Sequence, residues 1–270
     1  MSAGFVHLHV HSEYSLVDST IRIDELVAAC GAAGMPAVAL TDQSNRFAAI
    51  KFYQAAESAG IKPIIGCDIW VTDPADLDKP TRLTLLCQNL DGYRNLSRLI
   101  SRAWSDGRRG DHAAVHPDWL LDWNEGLIAL AGRDSEIGRY LLSGNDELAH
   151  ASASALLRLF PDCLYMELVR SERSDEETFI TAAIALAGVQ EIPVVASNDV
   201  RFLERDDFEA HEARVCIRQG RVLADPRRPR DYSPEQSLKS PQAMVDLFID
   251  VPSAVENAIE LARLCNLEFK

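Results

Sequence analysis

Near its N-terminus the chain reads FVHLHVHS from residue 5, with His7, His9 and His11 at every second position. An alternation of polar and aliphatic residues predicts a β-strand, in which side chains two apart point to the same face. Neutral imidazoles that converge from one face are good ligands for a metal ion. Three of the seven histidines of the chain lie in this stretch. The pattern therefore favours a present or ancestral metal site over histidines that only hydrogen-bond to their neighbours.

Acidic residues accompany three later apolar runs of the sequence. Asp42 follows one run, Asp68 lies within another, and Asp199 comes just after the last. Ligands of β/α folds bind beyond the carboxyl ends of the strands, so we expect these acids to approach His9 and His11. Each acid alone is also typical of a helix cap or a turn. Together with the imidazoles they form a mixed nitrogen and oxygen ligand set that suits zinc or manganese.

Short apolar runs alternate with helical stretches along the chain, which indicates a parallel β/α architecture, either closed as a barrel or open. The predicted strands are 5–12, 37–40, 63–71, 83–87, 126–131, 163–169 and 193–196. After residue 205 the rhythm changes to helices at 207–219, 241–249 and 253–265, with a Pro- and Arg-rich excursion at 221–233. We interpret residues 1–270 as one domain, with a barrel core over 1–205 and helices plus the excursion over 206–270.

The composition limits the classes of function. The net charge is −14, and an acidic surface repels phosphate backbones, so we expect no strong direct binding of nucleic acid. The sequence has no apolar run of membrane-spanning length and no N-terminal signal segment, which predicts a cytoplasmic protein with no membrane partner. The six cysteines are scattered without a C-x-x-C pair, which favours reduced thiols over a thiolate zinc site.

Several stretches together resemble one family: FVHLHVHSEYS at 5–15, LTDQSN at 40–45, KPIIGCD at 62–68 and VASNDVRF at 195–202. They are similar to the polymerase-and-histidinol-phosphatase (PHP) domain found at the N-terminus of bacterial replicative DNA polymerase III α subunits. The resemblance extends over essentially the whole chain. It implies an α/β fold, a distorted seven-stranded β/α (TIM-like) PHP barrel with a C-terminal helical appendage. This agrees with the seven predicted strands.

The resemblance also implies a site for up to three metal ions on the C-terminal rim of the barrel. Where that site is intact, members of the family resemble phosphoesterases. Residue by residue, the first two histidines of the motif fall on His9 and His11. The early aspartate falls on Asp42, the mid-barrel acid, normally a glutamate, on Asp68, and the late aspartate on Asp199.

Four positions depart from the family pattern, because Gln43, Arg82, Ser171 and Arg201 stand where the family has histidines. A guanidinium group is always cationic and does not ligate metals. One positive charge about 4 Å from a divalent ion costs roughly 8 kcal/mol at an effective dielectric constant of about 20. Conversely, Arg201 is well placed to pair with Asp199. We therefore interpret Arg82 and Arg201 as replacements for metal charge, and we assign no catalytic residue.

A single remnant metal site is the alternative. His9, His11, Asp68 and Asp199 would hold one zinc or manganese ion, with Asp42 as a supporting or salt-bridging residue. Surviving ligands also persist as hydrogen-bonded structural groups. We expect the fold to require no metal.

The resemblance implies that the parent enzyme is a DNA-directed DNA polymerase, a nucleotidyltransferase, and that this segment is its N-terminal PHP module. We expect the isolated segment to have no activity and to act as a scaffold. Its implied partners are the remainder of the polymerase α chain and the separate proofreading exonuclease subunit. The rival hypothesis is a residual metal-dependent phosphoesterase or pyrophosphatase.

The Arg- and Pro-rich excursion at 221–233 has two possible roles. Its sequence DPRRPRDY at 225–232 suits contact with an acidic surface, either DNA or the polymerase body. It is equally typical of an irregular segment held by its own ion pairs.

Overall fold

The computed structural model describes residues 4–16, 18–73, 76–110 and 112–269. The strands are β1 (Ala37–Leu40), β2 (Lys62–Asp73), β3 (Asp76–Cys87), β4 (Arg108–Arg109), β5 (His112–Val115), β6 (Leu127–Ala131), β7 (Leu164–Val169) and β8 (Val194–Ser197). The helices are α1 (Ile23–Ala32), α2 (Ala49–Ser58), α3 (Leu90–Ser105), α4 (Pro117–Asp122), α5 (Glu136–Leu142), α6 (Asp146–Leu159), α7 (Glu176–Gln190), α8 (Phe208–Gln219), α9 (Pro241–Leu247) and α10 (Pro252–Leu264). Short 3₁₀ turns cover Glu13–Ser15 and Arg205–Asp207.

Six strands form a curled sheet in the order β1, β2, β3, β6, β7 and β8. The N-terminal stretch 5–11 closes it, because it hydrogen-bonds to both ends of this order. On one side the Ala39 N–H donates to the His7 carbonyl at 2.9 Å, and on the other the His11 N–H donates to the Val200 carbonyl at 3.0 Å. Seven chain segments thus surround the barrel, and they are the seven that the sequence predicts. The predicted distorted α/β barrel is confirmed.

The N-terminal stretch differs from its prediction in one respect. It forms no regular strand, only an isolated parallel bridge between Val10 and Val200. The histidines of this stretch contact backbone and side-chain groups on several other elements. Because the stretch is irregular, they do not all point to one face, as strict alternation predicts.

The expectation of an all-parallel sheet was wrong at β3. This strand pairs antiparallel with β2, with Cys67 opposite Leu85, and antiparallel with β6, with Leu85 opposite Ala129. A parallel crossover needs a dozen or more residues, whereas β2 and β3 are separated by only two positions. The mostly polar stretch 76–82 forms the first part of β3 and lacks the apolar run on which the strand prediction depends.

The stretch between α3 and α4 lies outside the predicted strands, yet it contains two short strands. β4 and β5 form a small antiparallel hairpin, and β5 adds to β2 beyond β1 by pairing Ala114 with Trp70. The following α4 begins with Pro117 in its first turn, where the His116 side chain caps the Asp118 N–H. The three helices predicted after residue 205 begin and end within two residues of their predicted bounds.

The C-terminal helices share the core of the barrel. Met244 and Phe248 at α9 are buried, as are Ala254, Ala258 and Leu261 on α10, and all five belong to the same apolar cluster as the strands. The division into 1–205 and 206–270 stays a prediction. All six cysteines are free thiols, as the sequence predicts. Within the described ranges, no helix is long and apolar enough to cross a membrane.

Gly92 on α3 and Gly188 on α7 offer a matched test of the packing. A Cβ at Gly92 would lie 1.9 Å from the Gly126 carbonyl oxygen, whereas a Cβ at Gly188 meets nothing within 4 Å. Gly92→Ala should lower the free energy of unfolding by about 2 kcal/mol through overpacking. Gly188→Ala should raise it by about 0.5–1 kcal/mol, because alanine loses less backbone entropy in a helix. Urea denaturation of both variants tests the difference, and equal effects would contradict the close α3 contact.

Candidate functional site

The C-terminal rim of the barrel brings together His9, His11, Asp68 and Asp199, all of them buried. His9 Nε2 lies 3.5 Å from Asp68 Oδ2 and 3.3 Å from Asp199 Oδ1. His11 Nε2 lies 3.4 Å from the same Asp68 oxygen. The four residues of the predicted remnant site are therefore neighbours, at separations typical of side chains that share one centre.

Different local structures place the two carboxylates. Asp68 lies in the middle of β2, paired with Thr84 of β3 and bridged on its other side to Gln43. Asp199 follows β8 in a left-handed conformation with φ of 46°, which aspartate tolerates better than most residues. The Gln236 side chain fixes it by donating to Asp199 Oδ2 at 2.8 Å.

Two acids that the sequence analysis did not identify orient the imidazoles. Glu167 Oε1 lies 2.9 Å from His9 Nδ1, and Asp18 Oδ1 lies 3.1 Å from His11 Nδ1. Both Nε2 atoms are buried without a hydrogen-bond partner. A carboxylate on one imidazole nitrogen, with the other nitrogen left open, is the usual arrangement behind a metal-ligating histidine.

Two guanidinium groups form ion pairs with the carboxylates of the site. Arg82 Nη2 donates to Asp68 Oδ2. Arg201 is wholly buried and donates to Asp199 Oδ1 and, at 2.6 Å, to Asp18 Oδ2. Arg201 also contacts His11 Nδ1. Each cation thus contacts at least one carboxylate of the site directly.

These residues do not fit the family's metal cluster. One atom each of His9, His11 and Asp68 lies within 4.8 Å of the others, a spacing that by itself suits one divalent ion. However, the Asp68 oxygen nearest both imidazoles is the one that Arg82 holds. A metal ion bound to this Asp68 oxygen would lie close to the Arg82 guanidinium that already pairs with it. The second guanidinium, that of Arg201, pairs with Asp199. We therefore derive no chemistry through a metal.

The arginines also govern protonation in the site. Burial alone would raise the pKa of Asp199, but the charge of Arg201, followed by His9 and Arg82, holds that pKa well below its usual range. Burial and then Arg201 lower the pKa of His11 from 6.5 to about 4. At neutral pH Asp199 is therefore ionised, Arg201 is cationic and His11 is neutral.

The remaining predicted positions lie around this centre. Asp42 accepts from the Ser12 N–H at 2.6 Å and from Ser15 Oγ at 3.1 Å, and burial raises its pKa. It therefore holds the turn after the first stretch and forms no ion pair among the described residues. Gln43 donates to the Asp68 carbonyl at 2.9 Å. Ser171 donates to Glu176 instead of facing the imidazoles.

His7 points away from the other two histidines. Its Nε2 donates to the Lys239 carbonyl at 2.8 Å, and burial lowers its pKa from 6.5 to about 4. The expectation that all three histidines share one face was therefore wrong for His7.

The Arg- and Pro-rich excursion is held mainly by its own contacts. Asp225 pairs with Arg221 and Arg227, and Arg228 pairs with Glu212 of α8. Its end is anchored at the site, where the Tyr232 hydroxyl lies 3.4 Å from Asp18 Oδ2. The ion-pair role predicted for this segment agrees with these contacts.

Comparison with known proteins adds to the geometry. The PHP domain family matches residues 7–171, more than half of the chain. The chain belongs to the PHP domain family. The match contains the imidazole stretch, Asp68 and Arg82, while Asp199 and Arg201 follow it in sequence.

Relatives of this PHP domain are polymerase subunits. It is 49% identical to a DNA polymerase III subunit alpha of Pseudomonas aeruginosa over 271 residues, covering 100% of this chain and 23% of that protein. It is 46% identical to the same subunit of Escherichia coli K12 over 98% of this chain and 23% of that one. The chain therefore spans about a quarter of the length of these relatives.

A solved structure supports the fold alone. An amidohydrolase from Chromobacterium violaceum, determined with bound sulfate and no metal, superposes on this PHP domain with a TM-score of 0.52. The superposition covers 78% of this chain and 97% of the other, at 14% sequence identity.

The buried guanidinium of Arg201 should dominate the stability of this PHP domain. Arg201→Ala leaves Asp18 and Asp199 as buried carboxylates without a cation, so we expect the free energy of unfolding to fall by about 3–5 kcal/mol. The control is Arg263→Ala, because that side chain is 69% exposed and pairs with Glu260 on α10. It should change stability by no more than about 0.5 kcal/mol. Chemical denaturation measures both, and comparable small effects would contradict the role of Arg201.

Proposed function

We propose that this PHP domain is a non-catalytic module of a DNA polymerase III α subunit, in which ion pairs have replaced the metal centre. The observation that carries the proposal is the placement of Arg82 on Asp68 and of Arg201 on Asp199. Similarity to polymerase α subunits over the whole chain supports the parentage. The parent would be a DNA-directed DNA polymerase of the cytoplasm, and this module would support the remainder of its chain.

The charge balance supports a metal-independent fold. A divalent ion in such a site neutralises the carboxylates that surround it, and without that ion buried carboxylates repel one another. Here Arg201 pairs with both Asp18 and Asp199, and Arg82 pairs with Asp68, so two cations offset most of the charge of three carboxylates. The guanidinium groups are part of the chain, so this compensation is present as soon as it folds.

One observation favours the rival, a residual single-metal phosphoesterase. The buried Nε2 atoms of His9 and His11 have no hydrogen-bond partner, and one zinc or manganese ion would satisfy both. Such an ion would compete directly with Arg82 for Asp68. The two proposals therefore make opposite predictions for the response to metal.

Thermal melting with and without metal separates the two proposals. The protein, freed of metal with a chelator and dialysed, should show no rise in melting temperature with zinc or manganese. The double variant Arg82→His and Arg201→His removes both cations and adds two imidazoles. It should gain about 2.7 kcal/mol at a metal concentration about 100-fold above its Kd.

The parent protein is its own control in this experiment. A large metal-induced stabilisation of the unmodified chain would favour the single-metal rival. A double variant that folds but ignores metal would show that the surviving histidines and acids do not form the assigned site.

We further propose that the module docks the proofreading exonuclease subunit. Its net charge of −14 disfavours phosphate backbones, so a protein surface is the better partner. Large apolar side chains are exposed at the rim, with Leu16 at 64% and Phe47 at 70%. These two residues line the same open cavity, and large exposed apolar side chains around one cavity suit contact with a protein partner.

Calorimetric titration of this chain with the exonuclease subunit, without DNA, should give saturable heat at tens of micromolar or below. Phe47→Asp should weaken binding at least about tenfold, because a charge would be buried in the interface. The control is Val189→Asp on α7, which changes a side chain of similar exposure, 74%, away from the rim. Absence of binding would contradict the docking role, and equal effects of the two variants would contradict the rim as its surface.

A further inference from the structure

A large open cavity of about 1610 Å³ lies next to the ion-paired site. A much smaller cavity of about 30 Å³ contains His9, Asp68 and Asp199. Three arginines line both cavities and separate them, and we call them the arginine floor: Arg82, Arg133 and Arg173. The arginine floor thus forms a cationic surface between the buried site and the large open cavity.

The charge of the large cavity is opposite to that of the whole chain. Among its described lining residues, eight are arginine or lysine and four are aspartate or glutamate, although the net charge of the protein is −14. A cleft of one sign with low-dielectric walls focuses the field and attracts counter-ions. An anion is therefore drawn to this cavity and repelled from most of the remaining surface.

The floor has more donors than its acids accept. Arg133 and Arg173 share Asp134, with distances of 2.7 and 3.4 Å to its two oxygens, while Arg133 also lies 4.0 Å from Asp175 and Arg173 lies 3.2 Å from Glu176. A guanidinium carries five N–H donors, and Arg133 Nε is buried without a partner. The floor therefore retains capacity for an anion.

Two further cavity arginines lack a carboxylate partner among the described residues. Arg46 donates to the Tyr93 carbonyl at 3.1 Å and lies 4.1 Å from the centroid of the Tyr93 ring. Arg230, in the Arg- and Pro-rich excursion, is exposed and makes no hydrogen bond or ion pair with another described residue. Guanidinium groups that are not neutralised by an acid are the ones that bind phosphate most strongly.

An aromatic wall completes the cavity. Trp70, Trp104 and His112 line it, and the Trp70 and His112 ring centroids are 4.5 Å apart. Trp104 is 46% exposed and donates from Nε1 to the Ser44 carbonyl at 2.9 Å. Flat aromatic faces next to cations suit the stacking of a nucleotide base.

We propose that this cavity binds, without a metal ion, an anion with two or more linked phosphate groups. The arginine floor, Arg46 and Arg230 donate to the phosphate oxygens. The volume exceeds the few hundred Å³ that a small ligand needs, so the cavity accepts either a bare polyphosphate or a nucleoside triphosphate. The binding involves no hydrolysis, and its site lies in the cavity that Leu16 and Phe47 also line.

Calorimetry in EDTA tests the proposal on the 270-residue chain, with tripolyphosphate and deoxyadenosine triphosphate as separate probes. At least one probe should bind saturably, and its affinity should fall as salt is raised. Arg133→Gln and Arg230→Gln should each weaken binding about tenfold, since each removes a charge-assisted contact. The control is Arg94→Gln, an exposed arginine paired with Asp91 outside the cavity, and it should change nothing.

Trp104→Leu distinguishes the two sources of the phosphate chain. If this substitution weakens binding of the nucleotide alone, the aromatic wall contacts the nucleotide base. If both probes bind with equal affinity and the substitution changes neither affinity, the ligand is polyphosphate. Because Arg230 is exposed, its variant decides the case if Arg133→Gln fails to fold. No saturable binding of either probe at about 1 mM, or equal losses with Arg94→Gln, would overturn the proposal.

Discussion

The buried pairing of Arg201 with Asp18 and Asp199 is the interaction on which the rest of the site depends. Its three members come from the loop after the first stretch and from the residues after β8, where the barrel closes. Removing a guanidinium from water is expensive, and only well-placed carboxylates compensate for that cost. The pairing therefore couples closure of the barrel to the arrangement of His11 and Asp199.

The same pairing helps to set the protonation states of the neighbouring groups. Arg201 lowers the pKa of His11, while the anions around it keep the guanidinium charged. Asp68 is balanced separately by Arg82, whose guanidinium also lies over the Trp70 ring at 5.6 Å. Inherited imidazole and carboxylate side chains thus remain in contact, with cations supplied by the chain itself. In our proposal this is how a module of a larger polymerase retains its shape without the chemistry of its relatives.

Much of the fold was predictable because buried strands are short apolar runs with clear ends. The seven segments around the barrel follow from these apolar runs. The pairing of Asp199 with Arg201 follows from the position of both residues just after the last strand. The direction of β3 was missed because the mostly polar stretch 76–82 hides the first part of this strand, so that its closeness to β2 along the chain was not seen.

The acids behind the imidazoles were harder to predict. Glu167 is a single charge within the apolar run LYMELV of β7, a signal that could have marked it as a buried, partnered residue. Asp18 gave no such signal, because it lies in a loop and reaches His11, His211 and Arg201 only through tertiary contacts. Long-range geometry of this kind depends on the packed barrel, and no local pattern encodes it.

The central claim is that guanidinium groups have taken the place of metal in this site. Its most direct test is the metal content of the protein purified without chelator and measured by inductively coupled plasma mass spectrometry. A site whose carboxylates are already paired with Arg82 and Arg201 should retain zinc and manganese far below one equivalent per chain. About one tightly held equivalent, lost together with His9→Ala, would show instead that the histidines still ligate a metal and would contradict the account.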